Sequence, residues 1–120
     1  MKLSSVILRT TDVDRSKRFW SQTVGLKVAF DSPAFVFLDG DGTQLILSAI
    51  DSEVKDESLT EIVFQSEDVR NDYESMSERG VPFELELRTI TTKDQQELLG
   101  AHFRDPDGHY GSLTGWVDAE

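Results

Sequence analysis

The sequence predicts an α+β domain made of two copies of one βαβββ unit. Three observations carry the prediction. Two blocks of sequence recur in the same order, strand-like alternation surrounds them, and an amphipathic helical stretch occupies the same place in each half. The block VILRTTDV (residues 6–13) lies over IVFQSEDV (residues 62–69), an offset of 56. Apolar residues coincide at its first three positions, and Asp12 and Val13 meet Asp68 and Val69. After one residue of slip, Gly25 meets Gly80 and Leu26 meets Val81. The block AFVFLDGDGTQLILS (residues 34–48) lies over GAHFRDPDGHYGSLT (residues 100–114), an offset of 66. Here Phe37 meets Phe103; Asp39, Asp41 and Gly42 meet Asp105, Asp107 and Gly108; and Leu47 meets Leu113. The rise in offset from 56 to 66 places an insertion in the second half, within residues 88–99.

Each half reads as strand, helix, then three strands. The first strand covers residues 3–10 and ends where Asp12 can cap a helix. That helix runs to Val24, with Val13, Trp20 and Val24 as its apolar stripe and Phe19 beside them. Core packing is the expectation for Trp20 and Phe19. Gly25 supplies the left-handed exit. Strands follow at residues 26–31, 34–38 and 43–50, with DGDG (residues 39–42) as the hairpin turn. In the second half a strand at residues 60–65 precedes a helix opened by Glu67 or Asp68, with Val69, Tyr73 and Met76 on one face and Gly80 as its stop. Pro82 starts the alternating strand PFELELRTI. The last two strands, residues 98–104 and 110–117, are joined by DPDG. The expected organisation is one domain over residues 1–120: module 1 at about 1–51, an acidic linker at 52–58, and module 2 at about 59–117.

Composition excludes several classes of function. With 120 residues and 38% apolar content the chain can bury a core without staples. It has no cysteine, which removes disulfides, thiolate metal sites and cysteine nucleophiles. The N-terminus lacks the apolar core of a signal peptide, and no segment has the roughly 20 apolar residues that span a membrane. A cytoplasmic protein without membrane association is expected. The net charge of −11 disfavours nucleic acid, whose phosphates need clustered Lys and Arg. It fits either a solvated acidic surface or an acidic groove that attracts a cationic ligand.

The helix opened by DVDRSKRFW (residues 12–20), the VGL that follows it (residues 24–26), EDV (residues 67–69) and FRDPDGH (residues 103–109) together resemble the vicinal oxygen chelate superfamily. This is the glyoxalase, bleomycin-resistance and extradiol-dioxygenase group, and the likeness covers nearly the whole chain. The resemblance implies a cupped, mostly antiparallel sheet around a small-molecule site, and a dimer or pseudo-dimer of modules. It also implies that metal ligands, where a member has them, come from the positions held here by Ser5, Ile46, Glu61 and Ser112. The repeat pairs Ser5 with Glu61 and Ile46 with Ser112. Divalent metals in such sites need His nitrogen or carboxylate oxygen, and only Glu61 offers one. No metal and no cofactor are therefore expected, and metal-dependent glyoxalase or extradiol dioxygenase activity is disfavoured.

Alternation assigns the remaining candidates. Ser5, Ile7 and Arg9 share one face of the first strand; Glu61, Val63 and Gln65 share the face of its counterpart. Gln44, Ile46 and Ser48, then Tyr110, Ser112 and Thr114, share the matching faces of the two final strands. His102, with Arg104 on its face, holds a position that looks into the active site of extradiol dioxygenases, as the resemblance implies. Glu61 and His102 are the candidate acid and base, against the alternative that His102 is an ordinary strand histidine. Glu61 is expected to pair with Arg9 or Arg104, or to receive a ligand; the two arginines could equally hold an anion. Trp116 walls a pocket or a dimer seam, or packs in the core. The expected partner is a small organic ligand bound by Ser5, Arg9, Ile46, Gln65, Arg104, Ser112 and Trp116, in a homodimer. The alternative is a lyase, isomerase or dioxygenase of the same fold.

Overall fold

The computed structural model describes residues 1–50, 59–106 and 108–119 of the chain. The expected acidic linker at 52–58 and Asp107 of the second DPDG turn lie outside the described residues. The chain divides into two compact units: Ser4–Glu61, and Ile62–Glu120 together with Met1–Leu3.

The first unit holds β1 (Lys2–Thr10, its first two residues excepted), α1 (Val13–Arg18), a π-helical continuation (Phe19–Val24), β2 (Lys27–Asp31), β3 (Phe35–Asp39) and β4 (Gln44–Ala49). Its strands lie in the order β2-β3-β4-β1. β4 is antiparallel to β3 and parallel to β1, the pairing that a helical crossover allows. On β1, β3 and β4 every second residue turns to one core. Val36, Leu38 and Leu47 are fully buried, and Leu8, Val13 and Trp20 pack against them. Asp12 caps α1, its Oδ1 accepting from Arg15 N at 3.0 Å.

The helix ends at Val24 as expected, but its second half is wound differently. Gly25 N and Leu26 N both donate to Trp20 O, at 3.2 and 3.0 Å, and Gly25 takes φ 102°. A π-turn takes up an extra residue, so the i, i+4 spacing that would put Val24 beneath Trp20 no longer holds. Trp20 reaches the core, whereas Phe19 and Val24, both expected on or beside the apolar stripe, are half exposed. Phe19 instead lies edge-on to Trp20, ring centroids 5.3 Å apart.

The second unit repeats the plan with β5 (Thr60–Gln65, its last four residues), α2 (Val69–Glu78), β6 (Phe83–Lys93), β7 (Gln96–Arg104) and β8 (Tyr110–Asp118), in the order β5-β8-β7-β6. Asp68 is the N-cap and accepts from Asn71 N at 3.3 Å. Val69, Met76, Leu99 and Leu113 form the core, with Tyr73, Phe83 and Phe103 around it. The insertion lengthens the β6–β7 hairpin beyond the expected strand ends. Its two-residue turn, Asp94–Gln95, has both φ positive (53° and 64°), the geometry that matches the twist of a hairpin.

Candidate functional site

In the first unit the core claims Leu8, Val36, Leu38, Leu45 and Leu47, so their neighbours face the other side of the sheet. That second face carries Ser5, Ile7 and Arg9 from β1 and Gln44, Ile46 and Ser48 from β4, with Ile7 opposite Ile46 and Arg9 opposite Ser48. β3 adds Phe35 and Phe37, opposite Ser48 and Ile46. A register shift in β2 puts Phe30 beside Phe37, their rings 5.5 Å apart. The three phenylalanines were not among the expected site residues. The alternation in AFVFLD could have found two of them, because placing Val36 and Leu38 in the core sends Phe35 and Phe37 to the opposite face; Phe30 joins them only through the register shift in β2.

Glu61 is buried, its side chain 7% exposed, and Arg9 Nη2 stands 3.4 Å from its Oε2. Arg9 is one of the two arginines expected as partners for Glu61. The backbone holds the pair in register, since Arg9 N donates to Leu59 O at 2.8 Å, two residues before Glu61.

In the second unit Leu99, Ala101 and Leu113 face the core, and His102, Arg104, Ser112 and Trp116 face away. His102 is the register partner of the buried Ser112, and Leu98 that of Trp116. Arg104 is held by its neighbours. Its Nε donates to Glu84 Oε1 at 2.9 Å and its Nη1 to Gly108 O at 3.2 Å, and its guanidinium also contacts the Tyr110 hydroxyl and ring. His109 is exposed, and its Nδ1 lies 2.8 Å from Asp105 Oδ2.

Trp116 and Gln65 meet in a cleft of about 700 Å³, lined also by Lys2, Ser66, Glu67, Asp68 and Asp72. The Ser66 hydroxyl ties this wall together, donating to Asp72 and accepting from Asp68 N at 3.1 Å. The cleft sits where β5 passes into α2, so the cap residue of the helix is also part of its lining.

The four positions that the resemblance links to metal do not fit a divalent ion. Ile46 has no lone pair, Ser5 and Ser112 offer only hydroxyls, and the Glu61 carboxylate is engaged by a guanidinium. Among the described residues no three His, Asp or Glu side chains gather in a metal-holding group. Among the same residues no helix is long and apolar enough to cross a membrane.

The family model for the Glyoxalase/Bleomycin resistance protein/Dioxygenase superfamily matches residues 2–110. The chain belongs to this superfamily. No curated protein matches it in sequence. Its α+β fold of tandem βαβββ modules is that of a superfamily member from Vibrio splendidus 12B01, with a TM-score of 0.76 at 20% identity, covering 97% of this chain and 100% of that one. A hypothetical protein from Bacillus halodurans C-125 is similar at a TM-score of 0.72 and 14% identity, covering 99% of this chain and 96% of that one. A protein from Legionella pneumophila described as NAD-dependent benzaldehyde dehydrogenase is similar at a TM-score of 0.67 and 19% identity, over 94% of this chain and 98% of that one. At these identities the likeness is one of fold.

Proposed function

We propose that this superfamily member binds a small organic molecule without a metal, as a protein of the bleomycin-resistance type, and does so as a homodimer. The observation that carries the reading is the state of Glu61. It is the one carboxylate among the four positions, and it is already paired with Arg9. The Trp116 cleft adds support. Its volume of about 700 Å³ suits a drug-sized ligand, and an indole beside Glu67, Asp68 and Asp72 suits a cationic aromatic one. The net charge of −11 would draw such a ligand in. The enzyme alternative, with Glu61 and His102 as acid and base, is weakened because the Glu61 carboxylate already faces Arg9 rather than an open site.

Metal analysis and thermal-shift screening of the purified protein test this together. Divalent metal should be well below stoichiometric. Cationic aromatic compounds should raise the melting temperature; saturation at a hundred times Kd stabilises by about 2.7 kcal/mol. Trp116→Ala should abolish that rise. Stoichiometric metal that is lost in Glu61→Ala, or a response confined to small anionic acids, would refute the proposal. Sedimentation velocity checks the dimer.

A further inference from the structure

We propose that the turn of the β6–β7 hairpin is a second subsite beside Trp116, and that the ligand it takes is an aromatic cation carrying a hydroxylated arm. The inference rests on the reading that an aromatic cation binds against Trp116, and goes beyond it by naming the rest of the ligand. Trp116 lines two depressions. One is the cleft of about 700 Å³ at the start of α2; the other, of about 290 Å³, is lined by Lys93, Asp94 and Gln96. A group held against the indole can therefore extend toward the hairpin. The register accounts for this second wall. Trp116 is the partner of Leu98 on β7, Gln96 lies two residues before Leu98, and Lys93 is the partner of Gln96 on β6. Trp116, Gln96 and Lys93 thus share one face of the sheet. The two-residue turn Asp94–Gln95, with both φ positive, fixes this end of the hairpin. All of these hairpin residues belong to the insertion that the first half of the chain lacks. Their chemistry is mixed. Lys93 donates and the Asp94 carboxylate accepts, while Gln96 Nε2 donates to Asp118 Oδ1 at 3.4 Å and its amide oxygen can accept. An anionic arm would meet the carboxylates of Asp94 and Asp118, and a second cation would meet Lys93. Hydroxyl groups are each donor and acceptor, and suit both kinds of partner.

The test is calorimetric titration of the full chain with three N-methyl-naphthylmethylamines, which share one aromatic cation and differ in a single arm. The arm is a second methyl group, the polyol chain of glucamine, or a carboxymethyl group. One or two hydrogen bonds to the hairpin should make the polyol compound bind about tenfold more tightly than the methyl compound. The carboxymethyl compound should bind no more tightly than the methyl one. Lys93 and Gln96 are exposed, so Lys93→Ala/Gln96→Ala should keep the wild-type fold. That variant should lose the polyol preference and bind the methyl compound as the wild type does. Trp116→Ala should weaken binding of all three. A wild type without the polyol preference overturns the hairpin subsite. So does a preference that survives in the double variant, or a carboxymethyl compound that binds best. These results leave the aromatic-cation reading standing, whereas failure of all three compounds to bind the wild type defeats both.

Discussion

Gly115 offers a direct test of how α2 is seated against β8. A Cβ built there would lie 2.6 Å from Val69 Cβ, 3.1 Å from Val69 Cγ1 and 2.8 Å from the Ser66 carbonyl oxygen. Carbon atoms in ordinary contact are about 3.5–4.0 Å apart, so the start of α2 would have to retreat by about 1 Å. Neither neighbour can yield easily. Val69 is fully buried, and the Ser66 oxygen is backbone next to the helix cap. Overpacking of this kind costs about 1–3 kcal/mol, and the rigid neighbours put Gly115→Ala near the top of that range. Lost freedom of the unfolded chain gives back about 0.4–1 kcal/mol, leaving a net cost of about 2 kcal/mol. For a chain of this length, with about 2.1 cal/mol/K of unfolding entropy per residue, that is a fall in Tm of about 8 °C. Gly100→Ala is the control. Its Cβ would meet Ile90 Cδ1 even more closely, but that atom is the free end of a half-exposed side chain. Swinging Ile90 aside should hold its cost below about 1 kcal/mol. Circular-dichroism melts of both variants decide the matter. Equal losses, or a fall below about 2 °C for Gly115→Ala, would refute the claim that deformability of the neighbour, rather than proximity, sets the cost.

Two further perturbations test the cores and the cap. Leu47→Ala and Leu113→Ala truncate fully buried side chains, one in each unit, and each should cost about 2–5 kcal/mol by chemical denaturation. Asp68→Ala removes the cap of α2 and should cost about 1 kcal/mol; because Asp68 also lines the Trp116 cleft, the same variant should weaken the response to cationic ligands.

The repeat made the element order legible because it fixes register: once Val6 is laid on Ile62, strand, cap and glycine stop fall into place in both halves. Asp12 is read correctly as a cap, and Asp68 is one of the two residues offered for the second, because capping is a local hydrogen bond between a side chain and the backbone three residues on. The π-winding after Arg18 was not legible. Nothing in FWSQTV distinguishes it from α-helix. The extended β6–β7 hairpin was visible only as extra length, since Asp94–Gln95 is not the Asn-Gly or Asp-Gly that marks such a turn. Among the site candidates, alternation assigned Ser5, Arg9, Ile46, Glu61, Gln65 and Ser112 to matching faces of their strands, and Arg104 to the face of His102. It could not by itself show that Arg9 reaches Glu61, because the contact is between residues 52 apart in sequence.

The same alignment exposes an asymmetry between the halves that bears on function. Arg9 is the repeat counterpart of Gln65, and Ser5 that of Glu61. In one strand the duplicated positions therefore read Ser and Arg, and in the other Glu and Gln. The single carboxylate of this set is matched by the single guanidinium, and the pair is neutral. Beside Gln65, the cleft around Trp116 carries three carboxylates, Glu67, Asp68 and Asp72, against the ammonium of Lys2 and the amino terminus at Met1. Duplication has left one place where charge is cancelled internally and another where negative charge accumulates beside an aromatic surface. A cationic ligand gains little at the first and much at the second. Selection for such a ligand would act on the Trp116 cleft rather than on the Arg9–Glu61 pair.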